Sequence, residues 1–343
     1  MKKLLNTLYV TTQGAYLARD GETVLVRVEK ETRLRLPIHN LASIVCFGQV
    51  SCSPPLMGLC CERGVSIAFL SERGRFWGRV EGPVSGNVLL RREQYRRADS
   101  VEKAAEIARA VVIAKVANSR TVLLRAARDR PEGPGAGEIT AAADHLAGLL
   151  RTLEQPLSLE TIRGVEGDAA HWYFGVFDHL VLSQKEEFRF QERNRRPPLD
   201  NMNALLSFLY TLLVHDVASA LAAVGLDPAV GFLHRDRPGR PGLALDLMEE
   251  FRPYLADRLA LSLVNLQSIK GSGFIKTETG AVSMDDDTRK QVLVAYQERK
   301  QEEIRHPFLD EKMVLGLLPH VQALLLARHL RGDLDGYPPF LWR

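Results

Sequence analysis

The chain has 343 residues, 45% hydrophobic and 25% charged, with a net charge of +3. These are ordinary proportions for a folded protein, and the length suits two domains better than one. No apolar run approaches the ~20 residues of a membrane span, which argues against a membrane protein. So small a net charge does not establish a polyanionic partner, and four cysteines without a Cys-x-x-Cys pair argue against a zinc site or a disulfide framework.

The opening MKKLLNTLYV has two lysines, a short apolar segment and no small-residue cleavage site, and is read as a first strand rather than a signal peptide. From there to about Leu70, short β-branched segments alternate with turn signals: LYVTT, GAYLARDG, TVLVRVE, TRLRLPI, ASIVCFG and GVSIAFL. Asp20-Gly21 predicts a hairpin, residues 54–63 a short helix packed across the strands, and residues 72–74 a turn. Cys46, Cys52, Cys60 and Cys61 are read as buried residues kept reduced in the cytoplasm.

After Gly86 the period changes. Charged and apolar residues recur at helical spacing from Asn87 to Ala127, RDRPEGPGAGEI is a loop, and two further helices follow, the second holding RGVEGDAAHWYF. A basic loop ends at Pro197-Pro198, before a long apolar helix from Asn201 to Val224. Asn203 in its first turn reads either as a helix cap or as a hydrogen-bonding support for a site. Further on, TETGAVSMDDDTRK reads as an exposed loop in which Asp285, Asp286 and Asp287 start a helix. The last helix precedes the tail RGDLDGYPPFLWR, which either docks or serves a partner. The class is α+β: a small β-rich amino-terminal domain, 1–86, followed by a larger all-α domain, 87–343.

Chemistry concentrates in GFLHRDRPGRPGLALDLMEEFRP. Here His234 lies in an arginine-rich loop, and Asp246, Glu249 and Arg252 follow three residues apart on one helix face. Two acids held that close suggest a hard divalent cation, although a structural histidine and a solvated helix face explain the same residues. Upstream, Glu166 is followed by small residues and an aromatic run that wants burial, which puts it near an interior wall. Two carboxylates and an imidazole suit magnesium or manganese. Seven arginines between Glu72 and Arg97 (Arg73, Arg75, Arg79, Arg91, Arg92, Arg96 and Arg97) form one basic stretch, Arg189, Arg193, Arg195 and Arg196 a second, and the residues around His234 a third. They read as phosphate-binding or as solvated loops.

GVEG, then NALLSFLY, then GFLH followed by LDLMEEFRP resemble, in order and spacing, the CRISPR-associated adaptation endonuclease and integrase, the Cas-one family. KKLLNTLYVTTQGAYLARDGETV and GYPPFLWR resemble its subtype I-C branch. The resemblance implies a metal-dependent DNA endonuclease and integrase that inserts spacers into a CRISPR array by 3′-hydroxyl attack. Its metal ligands for Mg2+ or Mn2+ fall on Glu166, His234 and Glu249, where many relatives have Asp in place of Glu249, and Asp246 is a further active-site acid. Arg235 and Arg252 would hold phosphate oxygens, and Asn203 belongs to a motif packed near the site. It also implies double-stranded DNA as substrate, a homodimer formed through the β-rich domain, and a heterohexamer with the Cas-two adaptation protein. A non-catalytic nucleic-acid scaffold and a small-phosphoester hydrolase are the alternatives.

Overall fold

A computed structural model of the chain describes residues 7–41, 43–72, 76–80, 82 and 88–342. The predicted turn at 72–74, Arg73, Arg75 and the expected 86/87 boundary lie wholly or partly outside them. Strands gather in the first eighty residues and helices dominate the rest.

Two four-stranded sheets form the amino-terminal part. In one, β1 (Thr7–Val10), β5 (Ser43–Phe47) and β7 (Ser66–Leu70) run parallel, and β8 (Phe76–Val80) closes the edge antiparallel. In the other, β2 (Tyr16–Asp20), β3 (Thr23–Val28) and β4 (Glu31–Pro37) form a meander, and β6 (Ser51–Cys52) pairs parallel with β2. The β2–β3 hairpin turns at Asp20-Gly21, where Gly21 takes a φ of 58° that favours glycine. Helix α1 (Pro54–Arg63) starts where the Ser53 hydroxyl accepts the Leu56 N–H and stops at left-handed Gly64. Its Leu56, Leu59 and Cys60 share an apolar cluster with Leu17, Val24, Ile44 and Ile67. All four cysteines are free thiols. Cys46 and Cys60 are buried, their thiols pushed up to about 12 by burial, whereas Cys52 and Cys61 are only half-buried.

The other face of the parallel sheet, through Val45, Phe47 and Leu70, joins a second, larger core built from helices. These are α2 (Val88–Asp99), α3 (Val101–Asp129), α4 (Ala136–Thr152), α5 (Leu159–Gly175) and α6 (Asn201–Val224), with α7 (Gly242–Met248) and α8 (Arg258–Asn265) beyond them. Helix α6 is long and apolar enough to cross a membrane by length and composition alone. It is mostly buried here, packed against α7 and the last helix. Between α7 and α8 the chain stays helical but widens into a π-turn at Arg252–Asp257, because Pro253 has no N–H for the ordinary ladder.

The expectation of an all-α second part is wrong in detail. Part of the stretch read as an exposed loop, β10 (Val282–Met284), instead pairs as a hairpin with β9 (Phe274–Lys276) just before it. A second hairpin, β11 (Glu303–Arg305) with β12 (Lys312–Val314), follows α9 (Asp286–Gln301). Three-residue strands are too short to show alternation. The helix-start reading of the aspartates holds: Asp285 caps α9 by accepting the Thr288 N–H, with Asp286 and Asp287 in the first turn. After α10 (Leu318–Leu330) the tail docks, with Phe340 fully buried.

Candidate active site

The loop between α6 and α7 is folded by one carboxylate. Asp246, 1% exposed, accepts the backbone N–H groups of Phe232 (2.6 Å), Leu233 (2.9 Å) and His234 (2.9 Å), and Nδ1 of His234 donates to it at 2.6 Å. Both Asp246 oxygens are thereby committed. Because a carboxylate only accepts, Nδ1 carries the proton and the lone pair of His234 sits on Nε2. The close approach needs glycine: a Cβ on Gly231 would lie 2.7 Å from Asp246 Oδ2, and one on Gly242 2.6 Å from the Ala229 carbonyl. Two more contacts brace the loop. Gln94 of α2 donates to the carbonyls of Asp227 and Val230 at 2.8 Å each, and Arg163 of α5 donates to the Leu233 carbonyl at 2.7 Å.

Glu249 follows one turn after Asp246 and is 2% exposed. Its Oε1 lies 3.1 Å from Arg252, the neighbour expected from the helical spacing. Its Oε2 lies 2.8 Å from Nζ of Lys115 on α3, a close ion pair whose angles are poor for a hydrogen bond. Lys115 also donates to Oε1 of Glu166, whose side chain on α5 is 29% exposed. Burial alone would raise the Glu249 carboxyl, but Arg252, Lys115 and His234 outweigh it and hold the group at about 2.

Glu166, His234, Glu249 and Arg252 line one pocket of about 340 Å³, with Arg163, Arg195, Arg235, Arg237 and Arg240 around them. Burial and the nearby guanidiniums of Arg237, Arg195 and Arg196 lower Arg240 below the usual arginine range, the mark of like charges crowded at one rim. Such crowding suits a polyanion. Glu166 is at this wall as expected, and no helix of the described residues lies over Gly164 or Gly167, where a Cβ would meet nothing within 4 Å.

The other expected basic residues divide. Arg92, Arg96, Arg195, Arg196 and Arg235 are exposed, although Arg235 pairs with Glu160 at 2.9 Å. Arg91 donates to the Gly225 carbonyl, Arg97 binds Glu93 and His329, and Arg193 donates to Asn203 and Ser207, so these three are structural ties. Asn203 is not the cap; Asp200 is, accepting the Asn203 N–H. Fully buried Asn203 instead accepts from Arg193 and from the Asn194 N–H and donates to the Glu192 carbonyl, pinning the basic loop to α6. Sequence reading missed Lys115, Gln94 and Arg163, each of which looks like any other polar residue on a helix.

The donor chemistry fits a hard divalent ion: two carboxylates, one imidazole with Nε2 outward, and a buried carboxylate oxygen that makes no well-aligned hydrogen bond. It is not a closed cage, because among the described residues no three acid, histidine or cysteine side chains stand together closely enough to hold a metal. Lys115 stands between the two glutamates.

Residues 8–298 match the family model described as CRISPR associated protein Cas1. The chain is 56% identical, over all of both chains, to the CRISPR-associated endonuclease Cas1 1 of Chlorobaculum tepidum. A Cas1 protein from Thermotoga maritima superposes with a TM-score of 0.81 at 25% identity, over 98% of this chain and 100% of that one. A casposase bound to integration product gives 0.84 at 22%, over 99% and 95%. A Cas6-RT-Cas1 chain in complex with Cas2 gives 0.83 at 21%, over 99% of this chain and 36% of that one. The last two likenesses speak to the fold alone.

Proposed function

Because the chain belongs to the Cas1 family of CRISPR-associated endonucleases, we propose that the pocket around Glu249 is a divalent-metal-dependent site that cuts and joins DNA phosphodiesters, inserting spacer DNA into a CRISPR array. One observation carries the reading. A carboxylate-held imidazole and two carboxylates, one of them with a buried oxygen that makes no well-aligned hydrogen bond, share a pocket rimmed by guanidiniums.

In this reading Glu166, Glu249 and the Nε2 of His234 hold Mg2+ or Mn2+, which when bound stabilises charge at the scissile phosphate and favours the ionised nucleophile. The chain's own groups prepare the rest. Asp246 keeps the imidazole oriented with Nε2 free, and Arg252 and the rim arginines Arg195, Arg235, Arg237 and Arg240 hold phosphate oxygens. A 3′-hydroxyl of the incoming DNA attacks a phosphate of the repeat, one phosphodiester forms as another breaks, and the displaced strand leaves with a 3′-hydroxyl. Water in the same place gives cleavage.

The family also supports duplex DNA and Cas2 as partners. The finer expectations belong to the same proposal: a subtype I-C protein of the cytoplasm, a homodimer formed through residues 1–86, catalysis in 87–343, and two dimers bridged by Cas2 as a heterohexamer. The test is to incubate the protein and its Cas2 with a labelled duplex bearing free 3′ ends, a supercoiled repeat plasmid and Mn2+. Label joined to relaxed plasmid, abolished by chelator, is expected. DNA binding with neither joining nor cleavage would leave only a scaffold, and hydrolysis confined to small phosphoesters would leave a hydrolase.

A further inference from the structure

The side chain that joins the two glutamates has no role in the function proposed above. Lys115 is 8% exposed on α3, a helix whose neighbouring buried positions are Val111, Val112, Ala114 and Val116. A buried lysine in such a row is present for its charge. Its ammonium reaches Glu166 Oε1 and lies 2.8 Å from Glu249 Oε2, and Arg252 faces Glu249 Oε1 at 3.1 Å. Two carboxylates therefore already meet two cations, and the cluster is neutral. A divalent ion that used the same oxygens would add two positive charges next to a buried ammonium, at short range and in a poorly screened setting.

One of the two resident cations must then yield. Arg252 is held on three sides: by Glu249, by the Met248 Sδ at 3.7 Å and by the Tyr210 ring, 4.8 Å from its guanidinium carbon. Lys115 carries a compact charge on a flexible four-carbon stem. The oxygen it covers, Glu249 Oε2, makes no well-aligned hydrogen bond, so the ammonium holds it by charge alone.

We propose that Lys115 is the internal competitor of the catalytic ion: its ammonium and the divalent cation contend for Glu166 and Glu249, so Lys115 sets the metal concentration at which the site fills. This rests on the metal site proposed above, and the test separates the two. Mn2+ is titrated calorimetrically into wild type, Lys115→Met and Lys115→Gln, and the melting temperature of each is read with chelator and with saturating Mn2+.

The two variants are expected to bind Mn2+ roughly tenfold more tightly, the penalty removed if the paired form is about ten times as populated as the open one. They should melt lower than wild type in chelator and gain more from Mn2+. Affinity unchanged or weaker in a folded variant overturns the role of Lys115 while leaving the metal site standing. No Mn2+ uptake by wild type overturns the metal site itself, and this inference with it. Should neither variant fold, acylation of Lys115 in wild type decides, read by mass spectrometry: saturating Mn2+ should raise its labelling several-fold, and an unchanged rate refutes the competition.

Discussion

At the scale of single residues, the expected ligands act as a set, and their removal should not be additive. Glu166→Ala, His234→Ala and Glu249→Ala are each expected to abolish cleavage and strand transfer while leaving a folded protein that binds duplex DNA, and double variants should be no worse. A single variant with full metal-dependent activity strikes that residue from the set. Asp246 differs because it accepts four hydrogen bonds and offers no lone pair to a ligand's partner. Asp246→Asn puts an amide N–H against backbone N–H donors in a site with 1% exposure, so it should cost about 2 kcal/mol of stability as well as activity. Urea unfolding beside the cleavage assay measures both, and unchanged stability would mean that the loop does not depend on that carboxylate.

At the scale of elements, two segments hold the turn after α7 that bears Glu249. The tail is the first. Glu250 accepts from Tyr337 at 2.7 Å, from the Phe340 N–H at 2.8 Å and from Gln322 at 3.0 Å, while Asn118 donates to the Glu250 and Phe340 carbonyls and accepts the Trp342 N–H. Phe340→Ala opens a cavity in this seam and should cost about 3 to 5 kcal/mol, seen as a lower unfolding midpoint; a tail serving only a partner would show no loss. The π-turn is the second. Asp257 accepts from Tyr210 at 2.6 Å and Tyr173 at 3.1 Å, tying α6 and α5 to the segment that carries Arg252. Burial outweighs these bonds and raises its carboxyl from the ordinary 3.8 to about 6. The folded protein thus holds that proton more tightly than the unfolded chain. This stabilisation is complete below about pH 4 and is lost as the pH rises through about 6. Asp257→Asn should remove on the order of 1 kcal/mol of the stability difference between pH 5 and pH 7.5, and an unaltered pH profile contradicts the assignment.

At the scale of the whole molecule, the arginines distinguish a DNA enzyme from a small-molecule hydrolase. Arg195→Ala with Arg196→Ala, and separately Arg92→Ala with Arg96→Ala, should each flatten the salt dependence of duplex binding, by about 0.9 in log–log slope per lost phosphate contact. Arg193→Ala and Arg97→Ala should instead lower the melting temperature, since both side chains are spent on internal partners. Slopes equal to wild type in both exposed pairs would return them to solvated surface.

The sequence alone was enough for a strand-rich beginning, for most of the helices that follow and for the family motifs, because these depend on local spacing. Helical period and the proline pair upstream marked 201–224, and the order of GVEG, GFLH and LDLMEEFRP pointed to the family. What it lacked was any record of which distant side chains meet. Lys115 is 51 positions from Glu166, and its meeting with Glu249 depends on how α3, α5 and the turn after α7 pack. Tertiary structure likewise decided that Asn203 pins a basic loop, that three arginines are internal ties, that part of a supposed loop pairs in a hairpin, and that the tail is docked. Each outcome depends on where a buried polar group finds its partner. Burial makes that pairing obligatory, and sequence spacing carries no trace of it when the partner lies on another element.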